Sequence, residues 1–341
     1  MSMPTNLEIA ELLAAAGDSA DEYRRRAYHR AAGAALTWPE EVASLRDAGT
    51  PLSSLPQIGD RLAARIEGWL DDPPEVPEPP PSRAGFVTLA WARARLAEDP
   101  DWADQIRGDL QMHSNYSDGK HTLGEMTVAA ASRGYSYIAI TDHSGGQPVP
   151  PGMNVPAMKR QQNEIDRLNA AMDGDGFRVV KGIEMNLDPE GVGDVAHDDL
   201  TGFELVLGSF HSKLRVTDDQ TPRYLAAVRN PSVDVLAHPT ARRYNRRPSL
   251  DADWPAVFKA AIESGTAVEI DSHPHRGDLP LELIRVAVEA GVMFSIGSDA
   301  HDPEELGFLD VSLALALDGG VDPDRILVFK DVDDVLAWSS R

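Results

Sequence analysis

Gly108-Asp-Leu-Gln-Met-His113 and, after a helical stretch, Tyr137-Ile-Ala-Ile-Thr-Asp-His143 are short β-rich runs that each end on a residue able to bind a metal. The unit recurs downstream. β-rich runs lie at Asp109–His113, Tyr137–Thr141, Arg178–Ile183, Glu204–Gly208, Val233–Ala237, Ala267–Ile270 and Met293–Gly297. Amphipathic segments such as Thr122–Arg133, Met158–Met172, Trp254–Ser264 and Leu281–Ala290 separate most of them. Strand and helix in alternation are the order of parallel β/α units, and seven of them predict an α/β fold, a distorted (β/α)7 barrel.

The residues that follow the strands carry the chemistry. In order they are His113, Asp142-His143, Glu184, His211, His238-Pro239, Asp271 and Asp299-Ala-His301. In a parallel barrel the C-terminal strand ends meet at one mouth, so groups spread along the sequence converge there. One histidine at a strand end is more often a surface or hydrogen-bonding residue than a ligand. Repetition over six strands points to a metal site, because core strands otherwise end in turn residues and have no need of imidazole. The chain has no cysteine, which leaves imidazole and carboxylate as donors and favours zinc, manganese or iron.

The chain of 341 residues accommodates one large α/β domain of about 200–250 residues and a smaller unit. Acids outnumber bases 55 to 32, a net charge of −23, which argues against coating nucleic acid through a generally basic surface. Two local basic patches remain, Arg24-Arg25-Arg26 with Arg30, and Arg242-Arg243 with Arg246-Arg247. The first twenty residues lack a basic start, and Glu11 interrupts their apolar stretch. Neither a secretion signal nor a spanning helix is expected there, and the expected location is the cytoplasm, away from membranes.

From about Arg107 to Trp338 the sequence resembles the polymerase and histidinol phosphatase (PHP) family, and the version it most resembles is the C-terminal PHP domain of bacterial family-X DNA polymerases. The resemblance rests on Gly108–Gly119, Tyr137–Ser144, Gly182-Ile-Glu184, Ser209-Phe-His-Ser212, Val235–Arg242, Ala267–Asp271 and Ser298-Asp-Ala-His301. It implies two or three divalent transition-metal ions. Gln111, His113, Glu184 and Asp299 would surround the first, Glu184, His211 and His238 the second, and Asp118, His143 and His301 the third. Gln111 stands where a histidine is usual, and its neutral amide oxygen is a weaker ligand that loosens the first site. Arg242, just beyond His238-Pro239, and Arg276, just beyond the Ala267–Asp271 strand, are placed to hold phosphate oxygens at the mouth. His273 and His275 flank the same mouth.

Residues 1–72 read as a small all-α unit, 73–106 as a proline-rich linker with a connecting helix, and 107–341 as the barrel. Leu52–Ile66 has the form of a helix-hairpin-helix whose Pro56-Gln-Ile58-Gly59 turn would aim amides at a DNA phosphate. With Tyr23–Ala32 it resembles the N-terminal DNA-binding domain of family-X polymerases, although Gln57 replaces a usual glycine and Asp60 adds an acid. No room is left between the two units for a polymerase palm, so polymerisation is not expected.

Two function classes follow. One is a phosphoesterase that uses metal-activated water, either a DNA 3′-5′ exonuclease or DNA-end-processing enzyme, or a small-metabolite phosphatase of the histidinol-phosphate type. The other is a non-catalytic DNA-binding scaffold. The expected partners are accordingly DNA or a small phosphorylated metabolite.

Overall fold

Seven strands, β1 (Gly108–Met112), β2 (Tyr137–Ile140), β3 (Arg178–Asn186), β4 (Leu205–Ser209), β5 (Val235–Leu236), β6 (Ala267–Asp271) and β7 (Phe294–Gly297), pair in sequence order in a computed structural model of the chain. The structure describes residues 3–146, 152–172, 174 and 176–340. Every adjacent pair is parallel. The sheet closes beyond the end of β7. There Asp299 donates its amide to Gln111 O at 3.0 Å and His113 donates to Ala300 O at 2.8 Å. The expected barrel is therefore present, and its strands are buried nearly throughout, as a parallel sheet covered on both faces requires.

Two strands depart from expectation. β3 runs three residues past Ile183, so Glu184 lies within a strand and not after one. β5 is only two residues long, because His238 takes a left-handed φ of 29° and ends the extended run.

Four helices precede the barrel, α1 (Asn6–Asp18), α2 (Glu22–Thr37), α3 (Val42–Asp47) and α4 (Asp60–Asp71). α1 starts on a capping box in which Thr5 and Glu8 exchange hydrogen bonds. Asn6 ties it to the start of α3, donating to Glu40 O and accepting from the Val42 amide. α2 is rich in alanine where it is buried, Ala31–Leu36, which allows close approach to α1 and the barrel.

Helices α5 (Leu89–Ala97), α6 (Pro100–Ala103), α7 (Leu123–Ser132), α8 (Val155–Ala171), α9 (Thr221–Val228), α10 (Trp254–Ser264), α11 (Leu281–Ala290), α12 (Leu309–Gly319) and α13 (Val332–Ser339) complete the fold. α10 and α11 stop at Gly265 (φ 75°) and Gly291 (φ 89°), where a side chain would be strained.

Leu89, Ala92, Leu96 and Trp102 join the barrel core, and the Trp102 indole donates to Leu313 O. The connecting helix thus belongs to the barrel rather than to a linker over 73–106. The proline-rich segment is not a free spacer either. Val76 and Phe86 pack into the core of the helical unit, as does Tyr244 from the barrel. Arg83, 7% exposed, bonds Glu11 and Asp18 on one side and Asn245 on the other. The helical unit is in this way seated beside the barrel mouth.

Candidate metal centre

The buried carboxylate of Glu184 is the hub of the mouth. Its Oε1 lies 2.9 Å from His238 Nε2 and 3.3 Å from His211 Nε2. Its Oε2 lies 3.2 Å from both Gln111 Nε2 and His143 Nδ1, and 3.4 Å from His113 Nε2. Asp299 Oδ1 is 3.0 Å from His113 Nε2. Asp118 Oδ1 is 3.3 Å from His301 Nε2 and 3.5 Å from His143 Nε2. All nine residues named as candidate ligands from the sequence come together.

The partition differs in detail from the one implied by resemblance. Donor atoms within 4.8 Å of one another form three overlapping sets: His113, Asp118, His143 and His301; His143, Glu184 and His211; and His113, Glu184 and Asp299. His113 and His143 each serve two sets. Their rings stack at 4.5 Å, and His113 stacks on His301 at 4.3 Å. Gln111 reaches Glu184 through its amide, and His238 does so through Nε2.

These residues fit divalent cations. The donors are imidazoles and carboxylates, and Gln111 Oε1, His113 Nδ1 and His143 Nδ1 are buried with no hydrogen-bond partner among the described residues. Burial pushes His143 down to about 4 and His211 down to about 3, which keeps both imidazoles in the neutral, ligating form. Burial opposes ionisation of Glu184, yet His143, His238 and His211 hold it well below the carboxylate range.

A shell of polar groups orients the centre. Asn186 Oδ1 sits 2.6 Å from His211 Nδ1, and Asp299 O sits 2.7 Å from His301 Nδ1. Glu269 accepts the His238 amide at 2.7 Å, and Asp109 accepts the amides of Gln111 and Ser298. Asp142 accepts from Ser114, Ser117 and Gln161. Burial and the neighbouring Asp271 push Glu269 well above the carboxylate range, and burial pushes Asp109 up to about 6. Asn186, Asp109 and Glu269 were not singled out from the sequence. Acids inside apolar strands, as in Ala267-Val-Glu-Ile-Asp271, are the signal that would have found two of them.

Over the centre opens a cavity of about 500 Å³ walled by Phe210, Leu214, His273, His275 and three arginines, Arg243, Arg247 and Arg276. Arg276 Nε lies 3.0 Å from Asp299 and 3.4 Å from Asp271, so it reaches the mouth as expected but is held by acids. Arg242 does not line this cavity. Ala241, at a left-handed φ of 53°, turns the chain so that Arg242 points to the linker, where it lies 3.7 Å over the Phe86 ring and donates to Ala84 O. The next residue, Arg243, enters the cavity in its place.

The hairpin residues are also sorted by the structure. Pro56 and Gly59 are exposed, and nothing stands within 4 Å of a Cβ built on Gly59. Ile58 is buried in the helical core with its amide bonded to Leu55 O, so it cannot offer that amide to a phosphate.

Residues 109–273 match the family model of the PHP domain. The chain is 37% identical over 238 residues to the DNA polymerase/3′-5′ exonuclease PolX of Bacillus subtilis, a match over 70% of this chain and 41% of that protein. It therefore spans about two fifths of that relative's length. It is 26% identical over 227 residues to a probable phosphatase of Caldicellulosiruptor saccharolyticus, covering 64% of this chain and 89% of that one. Among solved structures it is similar to a histidinol phosphate phosphatase of Lactococcus lactis complexed with zinc, L-histidinol and phosphate, with TM-score 0.48, 17% identity, and coverage of 63% and 94%. With the strand-end ligands and the matched span in agreement, residues 109–273 of this chain are a PHP domain.

Proposed function

We propose that this chain is a metal-dependent phosphoesterase that hydrolyses DNA at a strand end, as a 3′-5′ exonuclease or end-processing enzyme. The observation that carries the reading is the clustering of three overlapping donor sets, two sharing Glu184 and the third joined to them through His113 and His143, beneath an arginine-walled cavity. Divalent cations, of which zinc, manganese and iron suit these donors, would supply Lewis-acid charge and an acidified water. The chain's own residues supply the rest. Glu184, Asp118 and Asp299 offset cation charge. Arg243 and Arg247 present guanidinium groups to phosphate oxygens, and Arg276 is fixed beside them by Asp299 and Asp271. Phe210 and Leu214 form the apolar part of the wall and limit water at the ester.

DNA as substrate is supported by the likeness to a polymerase/3′-5′ exonuclease and by the helical unit seated beside the mouth. A small-molecule phosphatase of the histidinol-phosphatase type is the second reading. It is favoured by the probable phosphatase of which this chain spans nearly the full length.

The deciding assay offers purified protein, with manganese, zinc or magnesium, three substrates: end-labelled DNA, 3′-phosphorylated DNA and histidinol phosphate. Shortening or dephosphorylation of DNA, abolished by a chelator, is expected. Turnover of histidinol phosphate alone would transfer the assignment to the second reading, and no turnover of any phosphate ester would overturn both.

A further inference from the structure

A second cavity of about 640 Å³ lies between α2 and the loop that follows β5. It shares Arg243 and His275 with the cavity over the metal centre, so the two lie side by side. Arg26, Arg30, Arg243 and Arg246 line it, and among the described residues no Asp or Glu does. That is unusual in a chain where acids outnumber bases 55 to 32. Arg26 is paired with Glu22, but among the described residues no carboxylate forms an ion pair with Arg30, Arg243 or Arg246. Arg243 is partly buried and faces like charge. Burial, then Arg276 and Arg246, depress its pKa, and Asp299 and Asp271 offset this only in part. Guanidinium groups gathered with no carboxylate in the cavity wall between them repel one another, and an arriving anion relieves the repulsion.

Each cavity is of the size that encloses one ligand of nucleotide dimensions. The floor of the first is the metal centre, where one phosphate would react. The second is lined by Arg243, Arg246 and Arg30 and by the turn at Pro56 and Gln57.

Building on the phosphoesterase reading, we propose that Arg30, Arg243 and Arg246 form a second phosphate subsite, which holds the phosphodiester adjacent to the reacting one in a single DNA strand threaded from the hairpin to the metal centre. A monophosphate fills only the metal-side cavity. A strand fills both, and its second phosphate neutralises the three arginines. The subsite reads backbone and carries no base preference.

The test compares two substrates of the full-length, metal-loaded protein: the p-nitrophenyl ester of thymidine monophosphate, with one phosphate, and a short oligothymidylate. In the double variant Arg30→Ala, Arg246→Ala the preference for the oligomer, as a ratio of kcat/KM values, is expected to fall about tenfold or more. The loss should lie in KM, with a shallower salt dependence, because fewer counterions are released. Arg30→Lys, Arg246→Lys should restore most of it. An unchanged ratio, or a loss confined to kcat, overturns the proposal. If wild type hydrolyses neither substrate, the phosphoesterase reading fails by itself, and fluorescence anisotropy with the labelled oligomer decides the subsite. Weaker binding by the alanine variant upholds it; no binding, or equal binding by both proteins, overturns it.

Discussion

The two oxygens of Glu184 are shared among Gln111, His113, His143, His211 and His238. Replacing it by Gln removes the charge that those imidazoles surround, so Glu184→Gln should lose metal in elemental analysis and at least about a hundredfold of any phosphoesterase activity. His238→Ala should lose fewer equivalents, since it contacts only Oε1; full metal content in both variants would sink the assignment. Gln111 presents an unbonded buried Oε1 to the same centre. Gln111→His should tighten metal binding in a titration, and unchanged affinity would mean that position 111 does not face an ion. Most of the histidine positions were readable because they follow an apolar run, as His143 follows Tyr137–Ile140 and His211 follows Leu205–Ser209, whereas Gln111 and Asp118 were named only through the family resemblance. What could not be read was how they share neighbours. His143 contacts both Glu184 and Asp118, a fact of three-dimensional spacing that strand order does not encode.

The loop after β5 shows the limit of the sequence most clearly at the scale of an element. Two adjacent arginines look equivalent in the sequence, and only the left-handed turn at Ala241 sends Arg242 to Phe86 and Arg243 to the cavity. Arg242→Ala should therefore lower stability by about 1–2 kcal/mol, through the lost ring and carbonyl contacts, while changing kcat little. A large fall in kcat at unchanged stability would return Arg242 to the chemistry. Arg83 was hidden for a similar reason, standing in a segment that reads as a spacer. Arg83→Ala leaves Glu11 buried without its partner, and a denaturant titration should show a loss of about 3 kcal/mol, borne first by the helical unit. The barrel strands themselves were legible to within a residue or two at every end except that of β3, which runs three residues past Ile183.

Over the whole molecule, helical unit, linker and barrel meet around one place. Gly33 on α2 comes so near the barrel that a Cβ there would stand 3.1 Å from His275, whose Nε2 lies 2.9 Å from Gly33 O. Removing residues 1–81 would leave the side chains around Glu184 in place but uncover Phe86 and Tyr244. The truncated protein should still hydrolyse a small phosphate ester, with a lower melting temperature and a raised KM for DNA; equal KM values would exclude a role for the helical unit in holding the strand. The anchoring of Arg83 has one more outcome. Because it grips Glu11 and Asp18 of the helical unit and Asn245 of the barrel loop from beyond the proline run, covalent continuity through residues 73–79 contributes little to keeping the pieces together. A protease that nicks the backbone there should yield two fragments that still elute as one particle and separate only in denaturant, so the protein could be reassembled from halves produced apart.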